Sequence, residues 1–239
     1  HLVIAQQFFS GASDHLFLEF INIGTLLALV IYFRKKIQLI CRDIVVKRNM
    51  RLLRNILITS LPAGVVGYFL ADFIASEAFF GSLVVVTVTL AVVGFVMVML
   101  EKLPKASPLK DGEQLSKKRS LFVGLAQMSA LVPGVSRSGS TIIAGRLAGL
   151  SPASAAEYSF LASLPIMIAV TLKVFIREGD REYFMQNLPV LLLSNTVALI
   201  AGIFAIGFLM NYLSKHSLAV FGWYRISLAG VLAIILLVQ

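Results

Sequence analysis

Apolar residues run along almost the whole chain in long segments, and short polar or charged stretches separate these segments. A bilayer core of about 30 Å requires roughly 20 apolar residues in each helix that crosses it. The pattern therefore predicts an all-α polytopic membrane protein. The segments long enough to span lie at about 16–33, 55–75, 80–100, 155–176, 188–212 and 219–238.

The pattern changes between residues 120 and 150, where two short apolar pieces flank a polar stretch. The pieces are Leu121–Val132 and Thr141–Leu150, and the stretch between them runs from Pro133 to Ser140. Each piece is too short to cross a bilayer. Together they predict a re-entrant helical hairpin, whose polar tip must be buried in protein or line a wet cavity. The alternatives are a single kinked helix, or a surface loop between two tilted spans.

Composition excludes a water-soluble protein. Of the residues, 58% are hydrophobic and 14% are charged, whereas soluble domains have about 45–50% apolar and about 25% charged residues. The net charge of +9 would suit nucleic-acid binding, but the position of the basic residues argues against it. Of 21 basic residues, eight lie in 34–54 and six in 101–119. The single Cys41 has no partner for an intrachain disulfide.

These loop charges predict the orientation, because cytoplasmic loops carry an excess of Lys and Arg. Residues 34–54 have one acid and residues 101–119 have three, so both segments are predicted to be cytoplasmic. Residues 71–79 have two acids and no base, and residues 177–187 have two Arg and three acids, so both should lie outside. These loops lie alternately inside and outside along the chain only if residues 121–150 make no net crossing. This requirement independently favours the hairpin.

An internal repeat occurs at an offset of about 138–141 residues. An odd number of crossings in the first half inverts the second half, and inverted repeats whose broken helices meet near the midplane are known to build intramembrane sites. The matching pairs are Glu19-Phe20 with Glu157-Tyr158, Ala63-Gly64 with Ala201-Gly202, and Phe80-Gly81 with Phe221-Gly222.

The repeat divides the chain into three parts. Residues 1–100 form a first half of three transmembrane helices preceded by a truncated hairpin, 101–119 form a cytoplasmic linker, and 120–239 form a second half with a re-entrant hairpin and three transmembrane helices. The sequence opens at His1 inside an apolar run and without a methionine. We therefore expect further residues to precede it.

Arg137 carries the main chemical signal, because a guanidinium in an apolar region costs at least a few kcal/mol unless it faces a cavity or a partner. Glycines allow close backbone approach, free N–H groups at a helix start point at a ligand, and the Arg fork matches phosphate geometry. The pattern predicts an anion site, and the alternative is a snorkelling Arg beside serines that cap a half-helix. The flanking residues are Gly134, Ser136, Ser138, Gly139, Ser140 and Thr141.

The other charged residues and His1 give weaker evidence of a functional site than Arg137 does. By the repeat offset, His1 falls at the tip of the truncated hairpin, where a histidine can transfer a proton or attack phosphorus. Glu19 and Glu157 occupy equivalent positions near the starts of spans, where the helix dipole alone favours a carboxylate. Arg225 resembles an interfacial anchor, while Arg146 either points to a cavity or snorkels. The sequence contains no metal-ligand spacing of His, Cys, Asp or Glu.

The run Pro133-Gly134-Val135-Ser136-Arg137-Ser138-Gly139-Ser140-Thr141 resembles the second signature of the bacterial undecaprenyl pyrophosphate phosphatases, the family linked to bacitracin resistance. The likeness covers essentially the whole chain. Other matching segments, in family order, are Phe20–Leu26, Leu61–Gly64, Ala155–Phe160 and Tyr224-Arg225.

The resemblance implies a bacterial inner-membrane hydrolase that converts undecaprenyl pyrophosphate to undecaprenyl phosphate and inorganic phosphate, recycling the lipid carrier of the cell wall. Its site would open to the periplasmic or outer face. Arg137 would be the catalytic phosphate-binding arginine, Ser136 its hydroxyl neighbour, and His1 the histidine that closes the first signature, acting as acid, base or nucleophile. The phosphate-binding residues would be Ser138, Gly139, Ser140 and Thr141.

A divalent cation, Mg²⁺ or Ca²⁺, is also implied by the resemblance, and its acidic ligands are expected to precede His1. The expected partners are the polyprenyl pyrophosphate and membrane lipids, with no nucleic acid, and a homodimer is left open. A transporter or flippase of a phosphate-bearing lipid or small anion is the alternative, because inverted repeats also serve alternating access.

Overall fold

Helices dominate the computed structural model, which describes residues 15–70, 73–74, 79, 82–102, 109–176 and 178–238. Within these ranges there is no β-strand, and one isolated bridge joins Leu109 to Leu150. The all-α prediction is confirmed. The α-helices are α1 (His15–Tyr32), α2 (Arg34–Val45), α3 (Arg51–Phe69), α4 (Leu83–Leu100), α5 (Lys117–Met128), α6 (Arg137–Leu147), α7 (Pro152–Ile176), α8 (Glu178–Gln186), α9 (Leu188–Lys215) and α10 (Ala219–Val238).

Five of the helices in the described ranges are long and apolar enough to cross a membrane, namely α3, α4, α7, α9 and α10. The sixth predicted span corresponds to α1, whose apolar stretch Glu19–Tyr32 is shorter than the others. Observed helix ends depart from the predicted spans by a few residues. The largest shift is at α3, which begins at Arg51 inside a predicted loop.

The predicted hairpin between residues 120 and 150 consists of two short helices. α5 has 12 residues and α6 has 11, so each is about 18 Å long or less. A 3₁₀ turn, Ser129–Leu131, follows α5, and the chain leaves helical geometry at Val132 before α6 begins at Arg137. A single kinked helix is therefore wrong. α6 packs against α4, α5 and α7, so protein encloses it and it is not a surface loop.

Two segments that the sequence assigned to loops contain helices. α2 occupies much of 34–54 and has no fully buried residue. α8 fills most of the predicted outer loop 177–187. Both lie beside the ends of spanning helices, so the number of predicted crossings is unaffected.

Three close helix pairs hold the bundle together: α4 with α10, α1 with α9, and α3 with α5. Small residues allow these approaches. A Cβ at Gly94 of α4 would lie 2.8 Å from the carbonyl oxygen of Gly222 in α10, and a Cβ at Gly124 of α5 would lie 2.7 Å from that of Thr59 in α3. Each pair joins a helix of the predicted first half to one of the second half.

Candidate functional site

The turn between α5 and α6 has an unusual backbone. Gly134 has φ +85° and Ser136 has φ +72°, both in the left-handed region that glycine tolerates best. At Gly134 a side chain is also excluded by space, since a Cβ would collide with the Thr89 hydroxyl and lie 2.8 Å from the Val86 carbonyl oxygen. The Pro-Gly pair in the sequence therefore reflects both conformation and close packing against α4.

Side chains from two spanning helices bind the carbonyl groups of this turn. The Thr89 hydroxyl of α4 donates to the Pro133 carbonyl at 2.7 Å. Nη2 of Arg225 in α10 donates to the Gly134 carbonyl and, at 3.2 Å, to the Val135 carbonyl. A free carbonyl oxygen would repel a bound anion. These hydrogen bonds occupy the carbonyl oxygens of the turn with donors from the protein.

The Ser136 side chain caps the N-terminus of α6. Its Oγ accepts from the Gly139 N–H at 3.2 Å and lies 3.3 Å from the Ser138 Oγ. The Ser140 N–H donates to the Ser136 carbonyl at 3.0 Å. The hydroxyls of Ser140 and Thr141 each donate to the Arg137 carbonyl at 2.9 Å.

The resemblance implies phosphate contacts at Ser138, Gly139, Ser140 and Thr141, but the N–H groups of Gly139 and Ser140 already donate to Ser136. The structure instead leaves those of Arg137 and Ser138 without a hydrogen bond in the described chain, because they are the first two of α6 and have no preceding turn. These two N–H groups, with the hydroxyls of Ser136 and Ser138, are the donors that an anion at this helix end can use.

Arg137 is the first residue of α6 and is partly buried. Its guanidinium forms no hydrogen bond or ion pair within the described ranges, whereas those of Arg146 and Arg225 are both bonded. A partly buried cation without a counter-charge is costly unless an anion reaches it. The geometry therefore leaves one positive charge at the N-terminus of α6, where the helix dipole adds to it.

Polar and close apolar contacts fix α6 against its neighbours. The Thr141 Oγ1 and the buried Ser159 Oγ of α7 share a hydrogen bond of 2.6 Å. Gly139 faces α4, since a Cβ there would lie 3.1 Å from the Met97 Cε. The helix that carries Arg137 is therefore held on two sides, which limits where the guanidinium can move.

The remaining arginines have roles that the sequence did not identify. The interpretation of Arg225 as an interfacial anchor is wrong, because its guanidinium bonds the hairpin turn, although the adjacent Trp223 and Tyr224 are exposed. The guanidinium of Arg146 is bonded within the protein. It lies 3.5 Å from the Glu101 carboxylate and donates to the Leu150 carbonyl at 2.9 Å.

Both repeat-related glutamates form ion pairs. Glu157 lies 2.8 Å from the Lys36 ammonium, and Glu19 lies 3.6 Å from that of Lys173. Neither pair includes Arg137. His1 lies outside the described residues.

Among the described residues, no group of three or more His, Cys, Asp or Glu side chains could hold a metal ion. The hairpin itself offers hydroxyl, N–H and guanidinium donors, which suit an anion and not a cation. The divalent cation that the resemblance implies stays a prediction.

Thr89 and Ser159 also contribute to the site, and neither was predicted from the sequence. Each is a polar residue inside a span that is otherwise mostly apolar, and each bonds the hairpin. Hydroxyl side chains in spanning segments were a usable signal, because a polar group in such a segment needs a partner.

Comparison with known proteins gives a consistent result. The family model described as "Bacitracin resistance protein BacA" matches residues 1–231. Undecaprenyl-diphosphatase 1 of Clostridioides difficile (strain 630) is 36% identical over 238 residues, covering 97% of this chain and 86% of the relative. The undecaprenyl-diphosphatase of Enterococcus faecalis (strain ATCC 700802 / V583) is 33% identical over 247 residues, covering 97% and 87%. That of Streptococcus sanguinis (strain SK36) is 35% identical over 248 residues, covering 98% and 87%.

Proposed function

The chain belongs to the bacitracin resistance protein BacA family, and we propose that it is an undecaprenyl-diphosphatase whose phosphate site is the turn before α6. The reaction converts undecaprenyl pyrophosphate to undecaprenyl phosphate and inorganic phosphate. The observation that carries the site assignment is the Arg137 guanidinium, which has no counter-charge in the described chain and lies at a helix N-terminus.

Charge stabilisation is the main demand in phosphoryl transfer, because negative charge spreads over the oxygens of the transferred group. Arg137 neutralises the terminal phosphate through two parallel N–H···O bonds, which fix its orientation as well as its charge. The N–H groups of Arg137 and Ser138 and the hydroxyls of Ser136 and Ser138 bind the remaining oxygens. The apolar surfaces of the spanning helices accept the lipid tail.

Two further parts of the site come from the family resemblance. His1 acts as acid, base or nucleophile toward the terminal phosphate. A divalent cation, Mg²⁺ or Ca²⁺, would add positive charge at the terminal phosphate. Because no described residues fit such a cation, the steps above use only the hairpin.

The site opens to the outer face of a bacterial inner membrane in this proposal, and the loop charges support that direction. If the crossings alternate from a cytoplasmic segment 34–54, the hairpin enters from the cytoplasmic side and its tip lies within the bilayer. The loop charges and the hairpin do not bear on a homodimer, and the mass of the detergent-solubilised protein decides that question.

Arg137→Lys tests the assignment in the natural full-length protein. Lysine keeps the charge but loses the bidentate fork, so pyrophosphatase turnover should fall by at least about 10²-fold, the scale for loss of one oxyanion donor. Thermal stability should stay nearly unchanged, because the guanidinium has no partner in the described chain to leave unpaired. Turnover is measured on a long-chain polyprenyl pyrophosphate.

Arg42→Lys is the matched control, because Arg42 is exposed on α2 and should keep full turnover. A snorkelling Arg137 would tolerate lysine, since that role needs only a long stem and a terminal cation. Turnover of Arg137→Lys within about threefold of the parent would reject the catalytic assignment and favour a transporter or a structural role.

A further inference from the structure

α2 presents two chemically different faces. Residues on one face pack against the bundle: Ile37 and Ile40 contact the main apolar core, and Lys36 pairs with Glu157 of α7 at 2.8 Å. Asp43, also on this face, pairs with Lys47 at 2.8 Å. The helix is therefore fixed to the protein, and its only acidic residue is already neutralised.

The opposite face has no protein on it in the described structure. Its positions recur three and four residues apart, which places them on one side of a helix. All are exposed, and the cationic members Arg34, Lys35 and Arg42 form no ion pair within the described ranges, although Arg34 donates to the Ile31 carbonyl. The members of this face are Arg34, Lys35, Gln38, Cys41, Arg42 and Val45.

Exposed apolar side chains accompany these cations. Val45 is 78% exposed, and the neighbouring Val46 at the end of α2 is 72% exposed. Exposure of such apolar side chains to water is unfavourable. Their transfer to the boundary between lipid headgroups and acyl chains is favourable. A purely solvated loop gives no reason for them.

The position of α2 identifies the surface that it meets. α1 ends at Tyr32 and α2 begins at Arg34, so the helix starts where an apolar span leaves the bilayer. Cations near such a boundary attract anionic lipids by about 1 kcal/mol each, or about fivefold in affinity. An acidic protein or a nucleic acid would pair the cations but leave the valines in water.

We propose that the exposed face of α2 binds the phosphate groups of anionic phospholipids, with Lys35 and Arg42 as the main cationic contacts. The contact is separate from the hairpin and does not depend on the proposed hydrolysis. It gives the protein a site that selects anionic lipids at one membrane surface.

Cys41 provides the probe, because it is the only cysteine of the chain and lies exposed on this face. A fluorophore on Cys41 is quenched in phosphatidylcholine vesicles that contain either brominated phosphatidylglycerol or brominated phosphatidylcholine. The ratio of the two quenching efficiencies measures lipid selectivity. We expect several-fold preference for phosphatidylglycerol in the parent, falling by at least about fivefold in Lys35→Gln/Arg42→Gln.

Lys117→Gln/Lys118→Gln is the matched control, since it removes two exposed cations from α5 and should keep the preference. Equal quenching by both lipids in the parent would overturn the proposal, and so would an equal loss in the control, which would mean an effect of net charge. Pyrophosphatase turnover of both double variants reports folding. If even the parent is inactive, the proposed function fails while the lipid measurement stands on its own.

Discussion

Arg137 and Arg225 both lie near the hairpin turn, but only the guanidinium of Arg225 is bonded to it. Arg225 donates to two carbonyl groups of the turn, so its charge is used within the protein. Arg137 has no such bonds in the described chain. The same side-chain type therefore shapes the turn at one position and remains available to a ligand at the other.

Arg225→Ala should reduce both stability and turnover. Hydrogen bonds to charged groups contribute about 1.5–3 kcal/mol, and their loss leaves the carbonyls of Gly134 and Val135 unpaired. The free energy of unfolding should fall by about 1.5–3 kcal/mol, as measured by denaturation in detergent. Turnover should fall as well, because the donors at the start of α6 lose their fixed position.

Arg137→Ala is the comparison variant, and we expect it to lose turnover while its unfolding free energy stays within about 0.5 kcal/mol of the parent. The comparison separates a ligand-binding role from a structural one. Unchanged stability in Arg225→Ala would contradict the role assigned to Arg225. Strong destabilisation in Arg137→Ala would mean that Arg137 is part of the fold and not a free cation.

The hairpin is the element whose shape depends most on single residues. Its turn has two left-handed residues, and only one of them is glycine. The non-glycine residue, Ser136, keeps this conformation because its side chain caps α6 and its carbonyl accepts from Ser140. Gly134 needs no such support, because a residue without a Cβ adopts φ +85° at little cost.

Gly134→Ala should disrupt the turn. The alanine Cβ would meet the Thr89 hydroxyl and the Val86 carbonyl, and φ +85° is unfavourable for any residue with a Cβ. We expect a stability loss of at least about 1–2 kcal/mol and a large loss of turnover, measured by thermal unfolding and by phosphate release.

Gly230→Ala is the matched control, because Gly230 lies within α10 and nothing lies within 4 Å of an added Cβ. That change should be neutral or slightly stabilising, since alanine favours a helix over glycine by about 1 kcal/mol. Similar effects of the two substitutions would show that the turn tolerates a side chain and that its backbone is not specialised.

The sequence predicted the hairpin because two apolar pieces of half-span length flank Pro, Gly and Ser residues. It did not predict the bonds that shape the turn, since Thr89 and Arg225 lie 44 and 91 residues from their partners. One sequence without homologues carries no signal for such pairings. α2 was overlooked for a different reason: its many charges suggested a loop, although Ile37, Ile40 and Ile44 recur at helical spacing.

At the scale of the whole molecule, two ion pairs reflect the predicted repeat. Glu19 and Glu157 lie 138 residues apart, and Lys36 and Lys173 lie 137 apart. Each glutamate pairs with the lysine of the other half. Reciprocal contacts of this kind are what a twofold relation between two units produces.

The same two pairs set α1 and α7 antiparallel. Glu19 near the start of α1 meets Lys173 near the end of α7, and Lys36 just beyond α1 meets Glu157 near the start of α7. Since α1 and α7 are equivalent in the repeat, this arrangement supports an inverted second half. The inverted repeat and its boundaries stay a prediction, because residues 1–14 lie outside the described part of the chain.

The two basic segments lie on the same side of the bundle. The Asn49 side chain donates to the Glu113 carboxylate at 2.7 Å, and Lys36 lies 4.0 Å from the Asp111 carboxylate. Residues 34–54 and the described parts of 101–119 therefore lie on the same side. Their combined excess of Lys and Arg predicts, by the positive-inside rule, that this side is the cytoplasmic one.

An impermeant maleimide tests that orientation on the only natural cysteine. Cys41 is exposed within the basic segment, so it should react only after the cells are permeabilised. Gly179→Cys in a Cys41→Ser background should react in intact cells, because Gly179 lies exposed in α8 with nothing within 4 Å of an added Cβ. Rapid reaction of Cys41 in intact cells, with Gly179→Cys silent, would reverse the orientation. The hairpin would then enter from the outer face, and the phosphate site would have to receive its substrate from the cytoplasmic leaflet.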